Sequence, residues 1–371
     1  MKILFCTNSF ENVTNGPAKF ANLLLQINSV IPETELRILT EDISIEQPGV
    51  YKINLSIPKL LSPAGMILRM FQYYKRAKRI YKQEYKFDVL VYNNAIISLY
   101  SAIASKNVIG FINDDNYVSA GLKLNIFRRH VLRSNLFFCF EWLAGRFLDK
   151  IVVNSDYLRN KIISVYHVKP EKIVKLYKAV EVKPERIIRN NPVPVILFVK
   201  NDFRRGGLQI LANALRTLNK KFVCIIVGTP PSSDTEIKKW FNHPNLEIVL
   251  KGYQSQQAVY DLMRKADIFC VPSLREALGV SNIEAMRFGC AVVTTNTGGI
   301  PETTGHGACA WIVHPGDSIA LANAIDTCLT NHIIRQKKIE SAYVYSENFS
   351  VAKMIRNFLL ILGDYERETH N

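Results

Sequence analysis

Residues 267–299 constrain the fold most, because they pass through strand, turn, helix and strand within one short stretch. Residues 267–271 form an apolar run that ends at a Pro-Ser turn, and residues 291–295 form a second apolar run. Between them, residues 282–288 have apolar side chains at helical spacing, and Gly289 stands where a left-handed residue often ends a helix. Short buried strands joined through a helix indicate a parallel sheet in an α/β domain.

The start of the predicted helix has the composition of an anion-binding site. Ser281 and Asn282 are favoured N-cap residues, so the amides of Gly279, Val280 and Ser281 should point out of the helix start. Amides at the positive end of a helix bind phosphate groups well, and a glycine lets the backbone approach a ligand closely. These residues therefore predict a site for a diphosphate.

Two glutamates flank this helix start. Glu276 lies in the loop beyond the first strand, where open α/β sheets bind ligands, and its carboxylate can accept hydrogen bonds from vicinal hydroxyls. Glu284 falls in the first helical turn and can bind a second pair of hydroxyls, such as those of a ribose. The alternative is that both are ordinary surface glutamates, one of them favourably placed near a helix N-terminus.

The whole stretch resembles the signature of retaining GT-B glycosyltransferases. They form the large glycosyltransferase family 4 (glycosyl transferases group 1), which includes sucrose synthases and mannosyltransferases of bacterial envelopes. The matched positions are Pro272, Ser273, Glu276, Gly279, Glu284, Ala285, Met286, Gly289, Val292, Val293, Gly298, Gly299, Pro301 and Glu302.

The resemblance implies an α/β fold of the GT-B type, with two Rossmann-like domains facing each other across a cleft. Residues 1–182 would form the acceptor domain and residues 190–345 the nucleotide-sugar-binding domain. The C-terminal helix, residues 350–366, would cross back to complete the first domain. A chain of 371 residues is long enough for two domains.

Further donor contacts are implied in the second domain. The family places a basic residue before a glycine to hold the donor phosphates, and this chain has Arg204 and Arg205 before two glycines. Gly206 occupies the family's lysine position by spacing, so the sequence leaves open which arginine acts. Either guanidinium can hold a diphosphate through two hydrogen bonds. The loop at Tyr253 is where relatives receive the nucleotide base.

The first domain departs from the family at two places. Relatives carry Gly-Gly close to the donor phosphates or the acceptor, whereas this chain keeps only Gly16. Many relatives have a His-Asp pair that contacts the donor sugar, and this chain has Asn113-Asp114. Either residue of that pair can contact the sugar or acceptor instead, or the pair can simply form a turn. There is no D-x-D motif, and neither a metal nor another cofactor is expected.

The net charge of +15 is concentrated in two segments that also carry aromatic residues, residues 64–86 and 121–150. Basic and aromatic side chains at helical spacing suit an anionic membrane surface. Alternatively, the aromatics belong to the core and the bases to a solvated face. No nucleic-acid reader motif accompanies the charge, so nucleic acid is not predicted as a partner. Seven unpaired cysteines and the absence of a leader or membrane-spanning run predict a cytoplasmic protein, peripheral on the inner face of the membrane.

Together these features predict a retaining glycosyltransferase. It would move a sugar from a UDP- or GDP-linked donor to a hydroxyl of a glycan or lipid-linked acceptor, in cell-envelope polysaccharide or glycolipid synthesis. The alternatives are another GT-B enzyme, such as a nucleotide-sugar epimerase or a phosphorylase, and a catalytically silent membrane scaffold. A nucleic-acid-binding protein is the third alternative.

Overall fold

The computed structural model describes the chain apart from residues 12–15, 32, 46, 56–61, 124–127, 184, 186, 188, 190 and 371; the side chains of residues 364–370 are also left undescribed. Within it the chain forms two compact units. Unit 1 consists of Met1–Ala179 and Val351–Asn371, and unit 2 of Val180–Ser350.

Unit 1 is built on a seven-stranded sheet in which every strand pair is parallel. Its strands are β1 (Lys2–Cys6), β2 (Glu35–Thr40), β3 (Val50–Lys52), β4 (Val89–Tyr92), β5 (Val108–Ile112), β6 (Lys150–Val153) and β7 (Ile173–Lys175). Their order across the sheet is β3-β2-β1-β4-β5-β6-β7. The central strands β4 and β5 are buried along their whole length, because helices cover both faces of a parallel sheet.

In the described residues of unit 1, seven helices connect these strands. They are α1 (Gly16–Leu25), α2 (Ile27–Val30), α3 (Pro63–Gln83), α4 (Ala95–Ala104), α5 (Asn116–Ala120), α6 (Arg129–Phe147) and α7 (Asp156–Tyr166), with a short 3-10 turn at Pro170–Lys172. Residues of α3, α4 and α6 share one core cluster, which includes Tyr73, Ile96 and Phe137. Residues of α1 share the other cluster, which includes Phe20 and Leu24. The two clusters lie on opposite faces of the sheet, since the side chains of one strand alternate between them.

Unit 2 repeats this plan with six parallel strands. They are β8 (Val195–Val199), β9 (Phe222–Val227), β10 (Leu246–Gly252), β11 (Ile268–Val271), β12 (Ala291–Thr295) and β13 (Trp311–Val313). Their order is β10-β9-β8-β11-β12-β13, the same as that of the first six strands of unit 1. In both units the order reverses beside the first strand, which is the place where open α/β sheets leave a ligand-binding crevice.

The helices of unit 2 alternate with its strands. They are α8 (Leu208–Thr217), α9 (Asp234–Trp240), α10 (Gln256–Lys265), α11 (Val280–Arg287), α12 (Ile300–Thr303), α13 (Ser318–Thr330) and α14 (His332–Tyr345), with 3-10 turns at Pro231–Ser233, Gly305–Gly307 and Ser346–Phe349. The predicted alternation of strands and helices between residues 267 and 299 is present as β11, α11 and β12.

The last helix, α15 (Val351–His370), belongs to unit 1. Its side chains Met354, Ile355, Phe358 and Leu362 are buried in the same cluster as Phe5 of β1. The Phe358 ring lies 6.4 Å from the ring of Phe111 in β5. The predicted return of the C-terminal helix to the first domain is therefore confirmed.

Candidate functional site

The candidate site of unit 2 lies where its strand order reverses, between β8 and β11. These two strands are neighbours in the sheet, with Ile268 beside Ile196 and Phe269 beside Leu197. Both strands run in the same direction, so the residues that follow them meet at one edge of the sheet. Lys200 directly follows β8, and the loop of residues 272–279 follows β11.

Glu276 and Lys200 form an ion pair at this edge. The Glu276 side chain is 19% exposed and that of Lys200 24%. The second carboxylate oxygen of Glu276 accepts a hydrogen bond from the amide of Ala277 at 3.1 Å. Burial raises the pKa of Glu276, but the Lys200 ammonium and the amides of Ala277 and Leu278 outweigh it, so its pKa lies below the ordinary value. Glu276 is thus a carboxylate at neutral pH.

Two glycines in left-handed conformations allow the backbone to pack closely against the Glu276 loop. A Cβ on Gly298 would overlap the carbonyl of Glu276, and a Cβ on Gly207 would overlap the carbonyl of Pro272. The backbone on either side is also tied down, because Leu274 donates its amide to the Arg205 carbonyl at 2.8 Å. The loop that presents Glu276 is therefore held from both sides by close backbone packing.

Helix α11 begins two residues earlier than predicted. Its N-cap is Gly279, with φ of 87° and ψ of 48°, and Ser281 and Asn282 lie inside the first turn. The prediction of a Ser or Asn cap was wrong, because the left-handed glycine turns the chain into the helix without a side-chain cap. The first amides of the helix, those of Val280 and Ser281, have no partner within it. The predicted anion-binding feature thus starts directly after Gly279.

Glu284 is oriented by helix α10. Its Oε1 atom accepts hydrogen bonds from Gln256 Nε2 at 3.0 Å and from the Tyr260 hydroxyl at 3.2 Å. Burial and the neighbouring Glu284 carboxylate raise the pKa of Tyr260, which keeps its phenol protonated as a donor. Tyr253 follows β10 at the same edge of the sheet, and its side chain is 61% exposed. Its ring is available for stacking on a planar ligand.

The two arginines predicted to hold phosphate have different surroundings. Arg204 donates to Glu236 at 2.6 Å, and its guanidinium lies over the rings of Phe203 and Trp240. Helix α9 therefore engages Arg204. Arg205 is half-buried, and its amide donates to Asp202 Oδ1 at 3.1 Å.

Lys200 is the residue that the sequence interpretation missed. It is one of eight residues in the loop after β8, and nothing about a single lysine distinguishes it there. Its position directly after the first strand of the sheet was the available signal, because this is where the strand order of such sheets reverses. Recognising its role also requires knowing that Lys200 packs against Gly206, where a side chain would collide with it.

The unit 1 candidates lie at the carboxyl edge of that sheet. Gly16 is exposed and begins α1, and Asn15 falls outside the described residues. Asp114 accepts a hydrogen bond from the Asn116 amide at 2.9 Å, which is turn chemistry. Asn113 donates to the Asn93 carbonyl at 2.8 Å and is tied to the end of β4. These contacts do not test the substrate roles predicted for Asp114 and Gly16, which stay predictions.

The basic and aromatic residues of the first predicted membrane segment separate into two groups. Met70, Tyr73 and Ile80 of α3 are buried in the core, whereas Phe71 and Tyr81 are exposed. Of the bases, Arg69 pairs with Glu41 and Arg76 with Glu84, while the remaining ones are exposed. These exposed bases are Lys75, Lys78, Arg79, Lys82 and Lys86.

The second segment separates in the same way along α6. Phe137 and Phe138 are buried, and Leu132 and Phe147 are about half exposed. Phe127 lies outside the described residues. In the part of the chain that the structure describes, none of the helices is both long and apolar enough to cross a membrane. The described residues also contain no group of three or more His, Cys, Asp or Glu side chains that could hold a metal ion.

Comparison with known proteins finds a match to a glycosyltransferase family in unit 2. Residues 179–345 match the family model of glycosyl transferases group 1. The matched residues span most of unit 2, Val180–Ser350. The chain is also 25% identical over 244 residues to the D-inositol 3-phosphate glycosyltransferase of Corynebacterium kroppenstedtii, which covers 59% of the chain and 54% of that relative. The chain thus spans about half the length of this curated relative.

Solved structures extend the similarity to the whole chain at the level of the fold. Anabaena HepE in complex with UDP-glucose superposes with a TM-score of 0.69, at 18% identity, over 98% of this chain and 100% of that one. WaaG, a glycosyltransferase involved in lipopolysaccharide biosynthesis, gives a TM-score of 0.69 at 16% identity, over 95% and 97% of the two chains. The predicted GT-B class, with two Rossmann-like domains, is confirmed.

Proposed function

We propose that the protein transfers a sugar from a nucleoside diphosphate sugar to an acceptor hydroxyl, with retention of the anomeric configuration. The observation that supports this most is the charged pair Glu276–Lys200 at the switch point of unit 2, beside the amides that open α11. An acidic side chain, a cation and free helix-start amides are the groups that a sugar diphosphate requires.

Each group has a role in the proposed reaction. Glu276 orients the hydroxyls of the donor sugar, and Glu284 binds the ribose hydroxyls. The amides of Val280 and Ser281 neutralise the diphosphate as negative charge develops on it, together with Arg205, whose carbonyl accepts a hydrogen bond from the Glu276 loop. Tyr253 stacks near the nucleotide base. Arg204 is the less favoured of the two arginines, because Glu236 already engages it.

The proposed chemical step follows from the retaining family that the signature resembles. The bond between the anomeric carbon and the leaving phosphate oxygen breaks, and its electron pair stays on the phosphate. The acceptor oxygen forms the new bond on the same face of the sugar, and its proton passes to the leaving phosphate. The groups of unit 2 act by binding and by charge stabilisation, so this step needs no covalent enzyme intermediate.

We propose UDP or GDP as the carrier and no metal requirement. HepE, a structure of the same fold, was determined with UDP-glucose bound, which supports a nucleotide sugar as donor. The cationic side chains and helix-start amides at this edge can supply the charge neutralisation that Mg²⁺ supplies elsewhere. Activity should persist in excess EDTA.

We further propose that the acceptor is a glycan or lipid-linked molecule reached at the inner face of the cell membrane. The exposed bases of α3, flanked by the exposed rings of Phe71 and Tyr81, support attachment to anionic lipid. The involvement of WaaG in lipopolysaccharide biosynthesis is consistent with an envelope product. Nucleic acid is not proposed as a partner.

Thermal-shift measurements against UDP-, GDP- and ADP-sugars test the donor proposal first. One of these donors should raise the melting temperature, and the same donor should be consumed only when an acceptor extract is added. Consumption of the donor alone, with the sugar isomerised, would identify an epimerase instead. If none of the panel changes the melting temperature, the proposed donor site is wrong.

A further inference from the structure

We propose that Lys200 is the cation that contacts the donor diphosphate, and that Glu276 holds it until the donor arrives. The inference rests on the proposed function, since it names a residue of the same donor site. On binding, one ion pair is exchanged for two contacts: Lys200 turns to the diphosphate, and Glu276 accepts hydrogen bonds from the sugar hydroxyls.

The base of the Lys200 side chain is fixed in position. Its amide donates to the Val227 carbonyl at 3.1 Å, at the end of the neighbouring strand. Gly228 has a φ of 96°, and a Cβ there would come within 2.8 Å of the carbonyl group of Lys200. These contacts hold the backbone of Lys200 in place at the end of the sheet. Movement of this residue is therefore confined to its four-carbon stem and its ammonium.

Gly206 makes room for that stem. A Cβ on Gly206 would lie 2.8 Å from Lys200 Cγ and 2.8 Å from Phe198 Cζ. A contact this close is not tolerated between carbon atoms, so any side chain at position 206 would displace Lys200 or the buried Phe198 ring. By spacing, residue 206 is where relatives carry their phosphate-binding lysine. The chain thus lacks a lysine there and has a lysine that fills the same space from the end of β8.

Arg204 is less suited to this role than Lys200. Arg204 is 64% exposed, pairs with Glu236 on α9 and stacks on Trp240. Lys200, in contrast, is 24% exposed and already contacts the carboxylate predicted to bind the sugar. Its ammonium is a compact charge on a flexible stem, so it can turn from one anion to another over a short distance.

The ion pair also explains why the exchange requires the whole donor. Removing one partner from a partly buried pair leaves the other charge without compensation. Glu276 therefore releases Lys200 readily only when hydroxyl donors replace the ammonium. A nucleoside diphosphate without a sugar must compete with Glu276 for Lys200. It should therefore bind more weakly than it would to a site in which Lys200 is not paired with Glu276.

The experiment measures affinity by isothermal titration calorimetry for the nucleoside diphosphate that binds the wild-type protein, and for its nucleoside. Lys200→Met keeps the apolar stem over Gly206 and removes the charge. It should weaken diphosphate binding at least 10-fold and leave nucleoside binding within 2-fold. Lys220→Met is the matched control, because Lys220 pairs with Asp326 beside the opposite end of β9; its diphosphate affinity should stay within 2-fold of wild type.

A second variant tests the competition. Glu276→Gln frees Lys200, so its affinity for the nucleoside diphosphate should rise about 3-fold or more, although transfer is lost. In the charge-neutral double variant Lys200→Met/Glu276→Gln this gain should disappear. The double variant also remains informative if Lys200→Met alone unfolds, since it leaves no buried charge unpaired.

The outcomes separate the two proposals. If the wild-type protein binds no nucleoside diphosphate, the proposed function fails and Lys200 has no ligand. If it binds one and Lys200→Met binds it equally well, the function stands and the assignment of Lys200 is wrong. Equal loss of nucleoside and diphosphate affinity would show a structural role, and unchanged diphosphate affinity in Glu276→Gln would overturn the competition.

Discussion

Glu276 combines burial, an ion pair and a backbone hydrogen bond, and each of these bears on what its loss should do. Its carboxylate is held by Lys200 and by the Ala277 amide, at the edge of the sheet where the donor would bind. These contacts fix the orientation of the two oxygens. An acidic group that is this well oriented contributes to catalysis mainly through the hydroxyls it positions.

Replacing Glu276 with alanine should reduce transfer by at least about 100-fold, because the donor sugar loses its oriented acceptor of hydrogen bonds. Stability should change little, since water can reach the Lys200 ammonium, which is 24% exposed. Steady-state transfer assays and the melting temperature check both parts. Turnover at the wild-type rate would rule out the assigned role of Glu276.

Glu141 of α6 provides a pH test at a buried position in unit 1. It accepts a hydrogen bond from the Tyr166 hydroxyl at 2.6 Å. Burial raises its pKa to about 8, while the Tyr166 hydrogen bond opposes this and the nearby carboxylates of Asp114 and Asp115 add to it. In the unfolded chain a glutamate ionises near pH 4.3, so between about pH 5 and pH 8 only the unfolded state releases the proton.

The stability of the wild-type protein should therefore fall as the pH rises from 5 to 8. Glu141→Gln keeps the acceptor for Tyr166 and has no proton to lose. Its melting temperature should match wild type at pH 5 and exceed it by roughly 2–4 °C or more at pH 8. Scanning calorimetry at both pH values measures this, with Glu171→Gln, a glutamate with a 69% exposed side chain, as control. An equal difference in melting temperature at the two pH values would contradict the raised pKa of Glu141.

At the scale of elements, the sequence predicted the strand-helix-strand unit around Glu276 but not how its helix starts. Apolar periodicity is a local property, and it identified β11, α11 and β12. The start of α11 depended instead on Gly279 adopting a left-handed conformation, while two good capping residues stood next in the chain. Lys200 was missed for a related reason, since the role of a loop lysine depends on what packs beside it.

Helix α3 shows the same division between local pattern and packing. Its basic and aromatic residues looked alike in the sequence, yet Tyr73 is fully buried and Phe71 is exposed. Arg69 and Arg76 are engaged by glutamates of unit 1. The exposed residues are the ones available to the proposed membrane attachment.

Reversing Lys75, Lys78 and Arg79 to glutamate should weaken binding to vesicles of phosphatidylglycerol and phosphatidylcholine at least 10-fold. Each basic side chain near an anionic surface is worth about 1 kcal/mol, and the core face of α3 is untouched. Vesicle sedimentation at low and moderate salt measures the loss. The control reverses three exposed lysines of unit 2, Lys238, Lys239 and Lys337. Equal binding by both triple variants would argue against α3 as the attachment surface.

At the scale of the whole molecule, the chain leaves unit 1 after Ala179 and returns to it at Val351. The resemblance to the glycosyltransferase family implied this return. The side chains of Phe358 and Leu362 are completely buried. Unit 1 is thus completed by residues that follow unit 2 in the chain, whereas unit 2 is continuous.

Removing residues 351–371 should therefore destabilise unit 1 selectively. Each large apolar side chain lost from a core costs about 2–5 kcal/mol, and several are lost together. Limited proteolysis should cut within residues 1–179 and leave a resistant fragment near residues 180–350. A milder comparison is Leu360→Ala, because that side chain of the same helix is 54% exposed and should be tolerated. Resistance of both halves in the truncated protein would show that the helix is dispensable.

The donor candidates of unit 2 all lie in one segment of the gene. Lys200, Glu276 and Glu284 all come from one uninterrupted stretch of chain within Val180–Ser350. A single recombination event that exchanges this coding segment can therefore replace the whole set of proposed nucleotide-sugar contacts at once. Under the proposed function, such an exchange would change the sugar that is transferred without altering the proposed membrane surface of α3.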